Sequence, residues 1–185
     1  NKTDESLGKW LENNVFSGMA TEIAEPAEND TLEWMTSKAA GIGAAIAGSI
    51  AVHEDGKYYN RFHFVTPDGD VTIYDKKHLF TFGGEHEHFT AGDKRVIMNY
   101  KGVRILLEIC YDLRFPIWSR NRGDYDMIIY VASWPTPRVE AWKALLAARA
   151  IENQCYVAGV NRVGTDPGNE YCGGSRVIDP YGKII

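Results

Sequence analysis

The stretch VRILLEICYDLRFP, residues 103–116, decides the fold. Its first seven residues form a near-continuous apolar run, which is typical of a strand that is covered on both faces. Cys110 follows this run directly, and residues 115–121 predict a short helix whose first turn tolerates Pro116. The stretch therefore predicts a strand that ends at a cysteine and then turns into a helix.

The same alternation continues towards the C-terminus. Residues 127–132 form a second apolar run, residues 138–154 predict a helix, and residues 156–160 predict a third buried strand. The helix places most of its apolar side chains on one stripe: Val139, Trp142, Leu145, Leu146 and Ile151. Alternating strands and helices predict an α/β layered fold with the helices outside a sheet. Ligands in such folds bind beyond the carboxyl ends of the strands, which is where Cys110 is expected.

The remaining predicted elements lie nearer the N-terminus. The last of them is a pair of strands, and the second strand of that pair is the one before Cys110. In chain order they are a helix over 31–40, a buried strand over 44–52, a hairpin of 58–65 with 71–74, and a strand pair of 95–100 with 103–110. The hairpin is indicated by its turn sequence TPDG, because proline, aspartate and glycine favour tight turns.

The two ends of the chain differ from its interior. Residues 1–14 predict an amphipathic helix with no strand before it, and residues 181–185 predict a turn into a strand that stops at once. No repeat or linker divides the sequence. We therefore expect a single domain over residues 1–185 that is incomplete at both ends, with residues missing near 13–16.

The composition excludes several classes of protein. A net charge of −5 and a pI near 5.5 argue against nucleic-acid binding, which needs a clustered basic face. No apolar run approaches the ~20 residues of a membrane span, and no secretory signal begins the chain. Cys110, Cys155 and Cys172 are too few and odd in number for a disulfide framework. The cysteines indicate a reducing compartment, so we expect a cytoplasmic protein.

Cys110 and Lys76 are the first candidates for chemistry. A strand-to-helix turn would aim backbone N–H groups at any atom bonded to the cysteine sulfur, and these groups are expected to lower its pKa and to stabilise an oxyanion. A structural cysteine is the alternative. Lys76 follows a predicted strand and is either a solvated side chain or a cation beside the thiolate.

The loop GGEHEHF, residues 83–89, is dense in ionisable groups and has two interpretations. His86 and His88, together with His78 or Cys110, could bind zinc, although no accompanying Cys-x-x-Cys or His-x-x-x-His spacing supports this. In the other interpretation, Glu85 is a general acid/base or a positioning carboxylate near the thiol.

Several motifs together resemble the nitrilase superfamily of carbon–nitrogen hydrolases. They occur in the family's order: YDKKHLF at 74–80, ICYDLRFP at 109–116, ARAIEN at 148–153, GVNRVG at 159–164, SR at 175–176 and DPYG at 179–182. The sequence CYDLRFP, with WSRN at 118–121 and ASWP at 132–135, is most similar to the omega-amidase branch.

The resemblance implies a role for each of four residues. Cys110 would be the nucleophile, Lys76 would stabilise the tetrahedral intermediate, Glu85 would be the family's second glutamate, and the backbone N–H of Tyr111 would bind the oxyanion. It also implies a four-layer α-β-β-α sandwich that forms a homodimer, with no metal and no organic cofactor.

The resemblance further implies a substrate class. Omega-amidases hydrolyse the terminal amide of short 2-oxo dicarboxylic monoamides such as 2-oxoglutaramate and release ammonia. Such substrates carry a carboxylate, which an arginine would bind. Arg114, Arg138 and Arg176 are the candidates, and Trp134 is a further candidate for substrate contact.

One departure from the family pattern leaves other functions open. The family's general-base glutamate lies in a Pro-Glu-x-Phe segment, but residues 11–18 read LENNVFSG, and Glu12 belongs to the predicted helix. Either residues are missing near 13–16 or the protein has lost its base, and the second possibility leaves a catalytically inactive nitrilase-like scaffold that acts through protein contacts as an alternative. Because the sequence does not fix the substrate within short amides, a related small-amide or nitrile hydrolase is the other alternative.

Overall fold

The computed structural model describes residues 21–185. The helix predicted over residues 1–14, Glu12, and the segment near 13–16 lie outside these described residues. Within them, no helix has both the length and the apolar character needed to cross a membrane.

The first sheet is formed by the N-terminal half of the described chain. Its strands, in spatial order, are β1 (Glu25–Pro26), β2 (Ile46–Glu54), β3 (Lys57–Val65) and β4 (Val71–Asp75). β1 runs parallel to β2, and the other pairs are antiparallel. The hairpin predicted at TPDG is confirmed, since the Thr66 N–H donates to the Asp70 carbonyl at 2.9 Å.

β2 corrects the prediction of a buried strand over 44–52. The strand exists, but Val52 is its only buried residue. Two features explain the difference: small side chains look apolar in a sequence but cover little surface, and the neighbouring strand β1 is only two residues long.

The second sheet has five strands in the order β11-β8-β7-β6-β5. These are β5 (Ile97–Tyr100), β6 (Val103–Ile109), β7 (Met127–Ala132), β8 (Tyr156–Asn161) and β11 (Arg176–Ile178). β6, β7 and β8 are parallel, and both flanking strands are antiparallel. β9 (Val163–Thr165) and β10 (Glu170–Cys172) form a separate hairpin.

Two long helices lie outside the two sheets. α1 (Asp30–Ile42) is capped by Asn29, whose side chain accepts from the Leu32 N–H at 2.7 Å, and α4 (Val139–Asn153) follows β7. Two helices between them have a single turn each, α2 (Glu85–His88) and α3 (Pro116–Ser119).

Three apolar clusters define the layers. One joins α1 to the first sheet through Met35, Ala39 and Val65. The second lies between the sheets, where Phe62 and Phe64 meet Leu107 and Ile109. The third joins the second sheet to α4: Leu106, Ile128, Val157, Trp142 and Leu146. The predicted four-layer α-β-β-α sandwich is confirmed.

Three residues in the C-terminal part of the chain that were predicted to be buried are exposed. Tyr156 and Val160 of β8 are 47% and 52% exposed, because the core between the sheets includes no residue of β8. Ile151, predicted on the apolar stripe of α4, is 53% exposed. The helix instead buries Arg149 and Asn153, whose side chains make hydrogen bonds inside the protein.

Candidate active site

A cavity of about 410 Å³ opens where β4, β6 and β7 end. Seven of the eight residues predicted for the site line it: Lys76, Glu85, Cys110, Tyr111, Arg114, Trp134 and Arg138. The stacking of the two sheets brings the end of β4 beside the end of β6. Residues that are far apart in the sequence therefore meet in one space.

Cys110 begins a 3₁₀ turn, Cys110–Arg114, directly after β6. Its φ is +45°, which is the left-handed region that side chains other than glycine rarely adopt. Strained backbone of this kind persists only where the surroundings enforce it, and it concentrates at functional sites. Cys110 as a whole residue is half-buried, and it lines the cavity.

The electrostatic surroundings of Cys110 differ from the prediction. Burial raises the pKa of the thiol, the Lys76 ammonium and the Ser133 backbone N–H lower it, and the Glu85 carboxylate raises it again. The net result is a raised pKa. The expected lowering of the pKa is therefore wrong, because burial and the negative charge of Glu85 outweigh the ammonium.

Lys76 and Glu85 form a buried ion pair in the cavity wall. The Lys76 Nζ donates to Glu85 Oε2 at 2.6 Å. Burial opposes the charge on both groups, but their mutual attraction prevails, so the pKa of Lys76 is raised and that of Glu85 is lowered. Both side chains are therefore charged at neutral pH.

Two further donors hold the Glu85 carboxylate in place. The Phe80 N–H donates to Oε2 at 2.5 Å, and the Asn60 Nδ2 donates to Oε1 at 3.1 Å. Asn60 is a site residue that the sequence does not reveal, since an asparagine in the middle of a strand carries no local signal for a site. This network fixes the carboxylate, and through it the ammonium next to Cys110.

The arginine candidates do not share one location. The Arg114 guanidinium lies 5.1 Å from the Trp134 ring centroid, and that of Arg138 lies 5.3 Å from the Phe80 ring centroid. Burial lowers the pKa of Arg138, Cys110 raises it, and Arg114 lowers it further. Arg176 is not among the cavity residues, and its Nε donates to the Gly174 carbonyl at 3.2 Å.

The geometry gives no support to a zinc site. Among residues 21–185, no three His, Cys, Asp or Glu side chains are grouped as metal ligands. His78 instead has its Nδ1 2.8 Å from Asp112 Oδ1, and its ring stacks on Phe115 at a centroid distance of 3.7 Å.

The raised pKa of Cys110 makes a prediction about its reactivity. A raised pKa means less thiolate at neutral pH than a free thiol has, so we expect methyl methanethiosulfonate to label Cys110 only at higher pH than it labels N-acetylcysteine. Peptide mapping by mass spectrometry separates Cys110 from Cys155 and Cys172. A labelling midpoint below that of N-acetylcysteine would contradict the raised pKa.

The fold and the cavity together define a class: an α-β-β-α sandwich with a thiol, an ammonium and a carboxylate at the ends of its strands. The sequence model of the carbon-nitrogen hydrolase family matches residues 12–185. The chain belongs to the carbon–nitrogen hydrolase family. The family predicted from the motifs is confirmed.

Individual relatives agree with this assignment. The chain is 55% identical over 172 residues to omega-amidase YafV of Escherichia coli (strain K12), covering 91% of this chain and 67% of the relative. It is 38% identical over 168 residues to 2-oxoglutaramate amidase of Bacillus subtilis (strain 168), covering 89% and 65%. The chain thus spans about two thirds of the length of these proteins.

A solved structure has the same fold. XC1258 from Xanthomonas campestris, a CN-hydrolase superfamily protein with an arsenic adduct in its active site, superimposes with a TM-score of 0.88 at 46% identity. The match covers 91% of this chain and 67% of that protein.

Proposed function

We propose that the protein hydrolyses the terminal amide of small 2-oxo acid monoamides, of the 2-oxoglutaramate type, to the acid and ammonia. The observation that carries the proposal is the placement of Cys110 beside the Lys76–Glu85 ion pair, in a cavity that also holds Arg114 and Arg138. The similarity to omega-amidase YafV and to 2-oxoglutaramate amidase supports the same substrate class.

In the first step, Cys110 attacks the amide carbon and forms a tetrahedral intermediate. The thiol has a raised pKa, so a base must remove its proton during the attack. Among the described residues, Glu85 is the carboxylate with the largest effect on the pKa of Cys110, and it is ionised. Its lowered pKa and its ion pair with Lys76 make it a weak base, so we assign Glu85 the role of the carboxylate that positions Lys76, and we assign the proton transfer to the general-base glutamate that the family resemblance implies. No Pro-Glu-x-Phe segment occurs in residues 1–185, so no residue of this sequence is assigned to that base.

The negative charge that develops on the amide oxygen needs a donor. The Lys76 ammonium acts on Cys110 and is held in place by Glu85, so it is positioned to stabilise this oxyanion. The backbone N–H of Tyr111, the second residue of the 3₁₀ turn, is the second proposed donor.

The intermediate then collapses and the carbon–nitrogen bond breaks. The proton taken from the thiol passes to the leaving nitrogen, so ammonia departs and a thioester remains on Cys110. Water gives one proton to the general base and attacks the thioester carbon. The carbon–sulfur bond breaks, the acid leaves, and the proton returns to the thiolate.

Arg138 is the proposed anchor for the carboxylate at the far end of the substrate. It is half-buried and electrostatically linked to Cys110, whereas Arg114 is exposed. The two guanidinium groups repel each other, as the effect of Arg114 on the pKa of Arg138 indicates. An anionic substrate relieves this repulsion.

A pair of substrates tests the function and the anchor together. We expect ammonia release from 2-oxoglutaramate, and a much higher KM for its uncharged methyl ester. Arg138→Gln should raise the KM for 2-oxoglutaramate roughly 10- to 100-fold, because a charge-assisted hydrogen bond is lost, and should leave the KM for the ester nearly unchanged.

Arg176→Gln is the matched control. Arg176 lies outside the cavity, so this variant should keep wild-type kinetics. Wild-type protein that releases ammonia from neither substrate would contradict the function and favour an inactive scaffold. Equal KM values for the two substrates would contradict the anchor alone.

The proposal includes a cytoplasmic location and a homodimer. Cys110, Cys155 and Cys172 are all free, which suits a reducing compartment. The homodimer is proposed from the family resemblance.

A further inference from the structure

Asp112 is a fully buried carboxylate in the turn that carries Cys110. It accepts four hydrogen bonds. Its Oδ2 accepts from the Tyr74 hydroxyl at 2.7 Å and from the Ile109 N–H at 3.0 Å. Its Oδ1 accepts from the His78 N–H at 2.9 Å and lies 2.8 Å from the His78 Nδ1. A carboxylate has about four lone-pair sites, so all of them are used.

These donors come from the two segments that carry the reacting groups. Tyr74 and His78 bracket Lys76, and Ile109 immediately precedes Cys110. The Tyr74 oxygen also accepts from the Lys77 N–H at 3.1 Å. The Tyr74 hydroxyl therefore links the backbone next to Lys76 to the Asp112 carboxylate. One side chain therefore ties the end of β4 to the end of β6.

The surroundings leave Asp112 little freedom to move. The His78 ring is clamped by its stack on Phe115 and by an edge contact with Trp118 at a centroid distance of 5.8 Å. A carboxylate with all its acceptor sites occupied cannot also take a proton from the thiol or contact the substrate. It is not among the residues that line the cavity.

We propose that Asp112 is a positioning residue that sets the separation of the Cys110 sulfur and the Lys76 ammonium. This inference rests on the proposed function, because those two groups must act on one substrate carbonyl. A misplacement of about 1 Å can cost roughly 100-fold in rate, so the tie between the two segments matters for turnover.

Asp112→Asn tests the inference. An amide of the same shape has a donor in place of one acceptor, so one of the two N–H groups, of Ile109 or of His78, loses its partner. We expect kcat to fall roughly 10- to 100-fold with KM changed less than about 3-fold. We also expect the Cys110 labelling midpoint to move to higher pH, because the ammonium no longer lies close to the sulfur.

Glu108→Gln is the matched control. Glu108 is also fully buried and lies two residues before Cys110, but within residues 21–185 neither of its carboxyl oxygens has a hydrogen-bond partner. We expect this variant to keep the wild-type kcat and labelling profile. If Asp112→Asn fails to fold, Tyr74→Phe, which removes one of the four donors, is expected to lower kcat roughly 3- to 10-fold.

A purely structural role for Asp112 predicts a different pattern. Asp112→Asn would then lower the melting temperature but keep the wild-type kcat per folded molecule and the wild-type labelling profile, and this result would overturn the inference. If the wild-type protein hydrolyses no amide, the proposed function fails. The labelling profile still decides whether Asp112 positions Lys76 beside the thiol.

Discussion

Replacement of Cys110 with serine is expected to abolish ammonia release from 2-oxoglutaramate, with kcat lowered by a factor of roughly 10⁴ or more. The hydroxyl of serine is a far weaker acid than a thiol, and the Lys76 ammonium is already paired with Glu85. The two side chains have nearly the same shape, so the melting temperature should stay close to that of the wild type. Measurement of ammonia release over a range of substrate concentrations gives both quantities.

Cys172→Ser is the control for this experiment. Cys172 is exposed on β10 and is not among the cavity residues, so its replacement should leave kcat unchanged. Intact-mass measurement of wild-type protein quenched with acid during turnover should reveal the acyl group on Cys110. Full activity of the Cys110→Ser variant would rule out a covalent thioester.

Replacement of Lys76 with methionine is expected to damage activity and stability together. The loss of the oxyanion donor should lower kcat roughly 100- to 1000-fold. The Glu85 carboxylate, which is 8% exposed, would lose its cation inside the protein. Breaking a buried pair in this way costs about 3–5 kcal/mol of unfolding free energy, which urea denaturation measures.

The double variant Lys76→Met with Glu85→Gln separates the two effects. It removes both charges, so most of the lost stability should return, because no uncompensated ion remains buried. Activity should stay low, because the oxyanion donor is absent. A double variant that regains activity along with stability would limit Lys76 to a structural role.

Elements with a strong local signal could be predicted from the sequence. β6 and β7 were recognisable because both of their faces are covered, which requires an unbroken apolar run. The helix over 138–154 was recognisable from its length and period, and it lies within one residue of the predicted bounds at each end. The predicted burial of β2 was wrong because alanine, glycine and serine are small enough to suit either a buried or an exposed strand.

The candidate site was predictable only in part. Family motifs pointed to Cys110, Lys76 and Glu85, but no spacing rule places residues of two different sheets side by side. Asp112 carries no local sequence signal for its position, since three of its four donors come from the first sheet's side of the cavity. The sign of the Cys110 pKa shift depends on burial depth and on Glu85, and neither can be read from residues 103–116.

The left-handed backbone at position 110 limits how this site can evolve. With φ at +45°, an unbranched side chain fits, but a second substituent on the β-carbon clashes with the main chain. Serine could therefore replace cysteine at position 110 without a steric clash, whereas threonine could not. A lineage that adopted a threonine nucleophile here would first have to rebuild the turn.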